Sequence, residues 1–177
     1  MQSGAIGPRG LVESRETSSG SSAWLGMEPA LADSESSVAI RAAAVINSHA
    51  DVASAAGGWM IELSTKPFGG RIARANFDAV CRAFQELVRE DAIDLSVVRD
   101  VLRIIHQTRI LAVHPKCDLR QSGQIEAAVV DELREWLDVL SQLLVNSLDH
   151  VTGTTNPETA PHADAIMLPY TSYRRSK

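Results

Sequence analysis

Residues 124–149 read QIEAAVVDELREWLDVLSQLLVNSLD, and this stretch decides the fold. Val130, Leu133, Leu137, Leu140 and Leu144 recur at spacings of three and four, and Val129, Trp136, Leu143 and Leu148 widen the stripe. Glu126, Asp131, Glu132, Glu135 and Asp138 fall between them. Apolar positions repeating near 3.6, with charges between, specify one amphipathic helix whose seam is broad enough to face two neighbours. At a rise of 1.5 Å per residue it would run about 39 Å, enough to span a domain. The other apolar segments are expected to lie against it.

Upstream, Phe77, Val80, Cys81, Phe84, Leu87 and Val88 form a clean helical face and predict a helix over 72–90. Asp94 or Ser96 can cap a further helix over 94–113, with Leu95, Val98, Val101, Leu102 and Ile105 expected inward. Pro115 limits it, because a residue before proline is pushed out of the helical region. Asp118 followed by Gln121 reads as a capping box opening the long helix over 119–149. The first helix is expected over 37–56, after candidate caps at Asp33, Ser34 and Ser36. Its stripe is Val38, Ala42, Val45, His49, Val52 and Ala56, ended by Gly57-Gly58. His49 reads as a boundary histidine rather than a ligand. Trp59-Met60-Ile61-Glu62-Leu63 is compatible with a strand or a helical turn.

Short loops between such helices favour an all-α, antiparallel four-helix bundle over residues 34–150. Residues 1–33 and 151–177 are expected to be flexible tails, since their Ser, Gly, Thr and Pro content cannot bury enough surface to offset ordering. Ala23-Trp24-Leu25-Gly26-Met27 is an apolar knot that either folds back or docks on a partner, and Ile166-Met167-Leu168 is the piece of the C-terminal tail suited to being pinned.

The 177 residues, 45% hydrophobic and 22% charged, suit one globular domain. With aromatics at 5%, aliphatic and alanine packing is expected to supply most of the core. A net charge of -5 argues against a generally basic nucleic-acid binder and leaves room for a local basic surface. Cys81 and Cys117 read as reduced thiols. No apolar run is long enough to span a membrane, so no membrane partner is expected. The first residues lack a basic start followed by an apolar run, so no secretory signal is expected and the place of action reads as the cytoplasm, the protein's own or a host cell's.

There is no glycine-rich phosphate loop with its lysine and no serine in a nucleophile elbow. His114-Pro115-Lys116-Cys117, with His106 nearby, lacks the second ligand pair a zinc site needs. Accordingly no catalytic residue, metal or cofactor is expected, and the enzyme class ranks last. Charge is more informative. Arg99, Arg103, Arg109, Lys116 and Arg120 face only Asp100 and Asp118 in the same stretch, and Arg99, Arg103 and His106 share one helix face. Lys66, Arg71, Arg74 and Arg82 make a second basic stretch against Asp78. Either these rims neutralise the acidic long helix, or they meet an acidic ligand. The reading that follows is a non-enzymatic helical interaction module, self-associating or a secreted effector, that binds another protein through Trp24, Trp59, Arg99, Arg103, Arg109 and Arg120.

Ser21-Ser22-Ala23-Trp24 and Thr65-Lys66-Pro67-Phe68-Gly69, set around helices of this size, resemble segments of the coat proteins of rod-shaped plant viruses. The resemblance implies a helical-bundle subunit that coats RNA, with an aromatic turn before a bundle helix and arginines nearby on the phosphates. Lys66, Arg71, Arg74, Arg99 and Arg103 would then be the RNA-binding residues. The family's Phe-Glu pair followed by a Trp after the last helix has no counterpart beyond His150.

Overall fold

A computed structural model describes residues 32–55, 57–152 and 166–176. Among them every regular element is helical and no strand occurs. The order is α1 (Ala32–Ala50), α2 (Trp59–Ser64), α3 (Arg74–Arg89), α4 (Leu95–Thr108) running on as a π-helix (Arg109–Val113), α5 (Asp118–Gln121), α6 (Ala127–Val151) and α7 (Leu168–Ser176). α1 packs on α3 and α4, α4 packs on α6, and α6 carries α7.

The two clearest stripes hold, except that Leu148, expected to widen the second, is exposed. α3 buries Phe77, Val80, Cys81, Phe84 and Leu87, and α6 buries Val130, Leu133, Leu137, Leu140 and Leu144 together with Trp136 and Leu143. Phe84 and Leu137 belong to one continuous core. Asp94 caps α4 as its spacing suggests, its carboxylate accepting from the backbone N–H groups of Ser96 and Val97 at 2.9 Å each. His114, just before Pro115, is extended and ends the π-helix. Cys81 and Cys117 are free thiols.

Several expectations are corrected. α1 stops at Ala50 instead of running to residue 56, and its buried face is Ala42, Ile46, His49 and Ala50. Val52 lies past the end and is exposed, and Val45 is exposed on the outer side. Beyond the turn that follows, Gly58 has φ +140°, and a Cβ there would come within 2.9 Å of the Ser48 carbonyl oxygen. The chain therefore turns where only glycine fits and starts α2 against the end of α1. Trp59–Ser64 is a helix, not a strand.

α4 is rotated from its expected face. Val97, Val101, Ile104 and Ile105 point inward, while Leu95 is 84% and Leu102 49% exposed. Two buried polar groups set that rotation. Asp100 accepts a hydrogen bond from Asn47 Nδ2 of α1 at 2.9 Å, and Thr108 Oγ1 accepts one from Trp59 Nε1 at 2.9 Å. Buried polar groups must be partnered, so these bonds outrank two exposed leucines.

The long helix opens at Ala127, not at residue 119. Asp118 and Gln121 belong to the short α5, which no side-chain cap precedes. Gly123 at φ +70° ends it, and the N–H groups of Gln124 and Ile125 return to the Leu119 carbonyl.

The largest correction is at the C-terminus. Within the expected flexible tail 151–177, residues 166–176 include α7 and bury Ile166, Met167, Tyr170 and Tyr173 in the core. Tyr170 and Tyr173 complete an aromatic cluster. Phe77 stacks on Trp136 at 5.0 Å between centroids, and Trp59 meets both edge-on. Both tyrosine rings stand edge-on to Phe77. Trp136 Nε1 donates to the Tyr173 hydroxyl at 2.7 Å, and Tyr170 donates to Asp78 at 3.1 Å. Burial, then the Asp78 charge, push the Tyr170 pKa up to about 12. The expectation of an aliphatic core is thus corrected in part, since the few aromatics gather at its centre.

Two outcomes follow for stability. Phe77→Ala should cost about 3–5 kcal/mol in urea unfolding, because its partners on three elements cannot all close over the void. A midpoint near that of the parent would show that the cluster does not hold the fold. The second outcome is a loss of stability in acid in two steps. His49 is buried and accepts the Trp59 backbone N–H at Nδ1, 3.1 Å away. Desolvation lowers its pKa from 6.5 against the opposing pull of Glu62. The unfolded chain therefore takes the proton first, and stability falls as pH drops below 6.5. For Asp100, burial acts upward, but the hydrogen bonds from Arg99 and Asn47 prevail and lower its pKa below 3.8. Its contribution is present above 3.8 and is lost as pH falls through the folded value; the capping Asp94, lowered chiefly by Ser96, adds in the same window. Urea midpoints across pH should show both steps, with His49→Asn removing the upper one. An unchanged upper step in His49→Asn would assign it to another group.

Candidate interaction face and adjoining groove

Because Val97, Val101, Ile104, Ile105 and Thr108 face inward, the opposite side of α4 presents Arg99, Leu102, Arg103 and His106. The π-helix continues that outer side with Arg109 and Ile110, both exposed. The result is a basic strip with apolar side chains set in it: Leu102 is 49% and Ile110 48% exposed.

The arginines expected to act together are not equivalent. Arg99 is tied to the buried carboxylate of Asp100, with Nε donating to Oδ1 at 2.9 Å. That bond, then the Asp100 charge, raise the Arg99 pKa. Arg103 is exposed. Arg109 Nη2 lies 3.5 Å from Ser141 Oγ on α6. Arg120 is half-buried and donates to the Val113 carbonyl at 3.1 Å, clamping α5 to the π-helix. Arg120 therefore serves the fold and leaves the strip. The ion pairs Arg89–Glu86, Arg99–Asp100 and Arg134–Asp131 each lie within one helix, so they do not join the basic strip to α6.

Trp59 is corrected outright as a contact residue: it is wholly buried at the centre of the aromatic cluster. Trp24 lies outside the described residues. Lys66, Arg71 and Arg74 do not meet the α4 strip at one site. Arg71 and Arg74 line a cavity of about 620 Å³ with Glu62, Glu126 and Glu132, and the Arg74 guanidinium sits 5.3 Å over the Tyr173 ring. Lys66 lines a different hollow.

That second hollow is a groove of about 770 Å³ between the end of α2, the turn after it, the π-helix and α5. Leu63, Pro67, Ile110, Leu111 and Leu119 supply apolar wall, while Lys66, His114, Lys116 and Asp118 stand around it. Cys117, 9% exposed, is part of the wall. His114 Nδ1 accepts the Lys116 backbone N–H at 3.1 Å, which leaves the neutral ring's proton on Nε2. Among these residues the sequence drew attention to Lys66, His114, Lys116 and Cys117, but not to the apolar wall. Among the described residues no cluster of three or more His, Cys, Asp or Glu side chains could hold a metal ion. Nor is any described helix long and apolar enough to cross a membrane.

Set beside known protein families, known proteins and solved structures, the chain finds no match, so its own geometry is what speaks for the site.

Proposed function

We propose that the chain is a non-enzymatic protein-interaction module whose working surface is the outer side of α4 and its π-helical extension. The partner is an acidic surface of another protein. The observation that carries this is the basic strip Arg99, Arg103, His106 and Arg109 with Leu102 and Ile110 exposed within it. Exposed arginines steer an acidic partner and set its register, and apolar side chains among them supply area to bury. Leu102 and Ile110 lie among the arginines, so a partner that meets the charges also covers them.

The RNA-coating reading draws on Lys66, Arg71, Arg74, Arg99 and Arg103. Arg71 and Arg74 share their cavity with three glutamates, so a phosphate there would meet carboxylates as well as arginines. The acidic-protein reading uses the α4 strip, where the opposing carboxylates are Asp100, buried beneath Arg99, and Asp138 of α6, which shares a hollow with Arg109.

Charge reversal tests this best at Arg103 and Arg109, since Arg99 compensates buried Asp100 and replacing it would destabilise the fold. Arg103→Glu with Arg109→Glu should leave the thermal midpoint within a few degrees. Binding of labelled poly-L-glutamate, read by fluorescence anisotropy at low salt, should weaken by about tenfold or more, as expected when close opposite charges become like charges. Single-stranded RNA of matched length should bind no more tightly than polyglutamate at either of two salt concentrations. Unchanged polyglutamate binding in the double variant would remove this face from consideration. Tighter RNA binding with a steep salt dependence would put the RNA-coating reading in its place.

A further inference from the structure

The groove beside the strip has the size and lining of a ligand site. Small-molecule sites are half-enclosed hollows of roughly 300–1,000 Å³, mostly apolar, with a few polar groups that orient the ligand. This one measures about 770 Å³. Its wall comes from two parts of the chain: Leu63 and Pro67 on one side, and Ile110, Leu111 and Leu119 on the other. Ile110, 48% exposed, is apolar surface left in water until something covers it.

Charge identifies what fits. Each of the two loops that wall the groove contributes one exposed lysine, Lys66 from the turn after α2 and Lys116 from the turn before α5. His114 adds a donor at Nε2, because its Nδ1 already accepts from the Lys116 backbone. Asp118 is the opposing charge in the lining, so the cations prevail by two to one. The hydroxyls of Ser64, Thr65 and Ser122 spend their protons on the backbone carbonyls of Met60, Ile61 and Asp118. An apolar hollow with cationic donors at its edge matches a molecule with an apolar tail and a single anionic head.

We infer that the groove between Leu63–Pro67 and Ile110–Leu119 binds a small amphipathic carboxylate, its chain along Leu63, Ile110, Leu111 and Leu119 and its head between Lys66 and Lys116. The inference does not rest on the partner proposed for α4, but the two surfaces adjoin and share Ile110.

Sodium decanoate is the probe, compared with decan-1-ol and decyltrimethylammonium, below their micelle-forming concentrations. Isothermal titration should show one saturable site for decanoate, weaker binding of the alcohol and none of the cation. Lys66→Ala with Lys116→Ala should weaken decanoate by about tenfold and erase its advantage over the alcohol. Ile110→Glu, an exposed change that leaves the core alone, should abolish decanoate binding by placing a carboxylate at the mouth. Cys117 gives a second readout: decanoate should slow its reaction with a maleimide. Cys81 serves as the internal control, being fully buried with its thiol pKa raised by burial and then by Asp78. The inference fails if decanoate does not saturate one site, or if the double-lysine variant binds it as the parent does. It fails equally if the cation binds as well, or if saturation leaves Cys117 labelling unchanged.

Discussion

Everything in this fold leans on the face-to-face contact of Phe77 and Trp136. Stacked at 5.0 Å, they join α3 to α6, and Trp59, Tyr170 and Tyr173 close around them from α2 and α7. An indole brings a large apolar body and one N–H that cannot be buried alone. Trp136 meets that demand with the Tyr173 hydroxyl and Trp59 with Thr108, so the two tryptophans dictate where α7 and α4 must lie. Once Thr108 is fixed, the rotation of α4 is fixed. Arg103 and His106 are then forced outward, and the π-helix after Thr108 brings Ile110 to the mouth of the groove.

The elements most legible in the sequence are those whose inward face is mainly apolar. α3 and α6 each bury a long apolar stripe, broken in α6 only near its end where Ser147 is buried and Leu148 exposed, so the 3.6-residue period finds both the helix and its inward face. α1 and α4 are legible as helices but not in rotation. Their inward faces carry His49, Asp100 and Thr108, which a hydrophobic pattern counts as wet. α7 is not legible as a helix, although Ile166 and Met167 just before it are buried as a pinned segment would be. Its mean hydropathy is low, and it is held by two tyrosines whose partners lie 37 and 92 residues away in sequence. The basic side of α4 could be read because Arg99, Arg103 and His106 share a helix face by spacing alone. The groove could not, since residues 63–67 and 110–124 meet only through tertiary packing and a π-helix shifts the register between them.

The molecule separates its charges. It is acidic overall, with Asp131, Glu135 and Asp138 on the exposed side of α6, yet α4 and the neighbouring loops present arginine and lysine. Such a division orients the molecule in the field of an approaching charged partner before any contact forms, and that orientation weakens as salt rises. Leu102 and Ile110 stay exposed among the basic residues, as other aliphatics do on α1 and α6, so on α4 attraction at long range and burial at short range act on one face.

The placement of α7 also governs when the native structure can exist. Phe77 and Trp136 are made well before Tyr170 and Tyr173, and until the latter emerge from the ribosome the Trp136 indole N–H lacks its acceptor. The nascent chain must carry the stripes of α3 and α6 with one side of their shared core still open to water. Pairings across such long sequence separations are slow to form, and exposed apolar surface in the meantime invites association with other chains. Folding of this domain is therefore coupled to the completion of its synthesis through Tyr173, and chaperones that shield apolar surface have their window before that point.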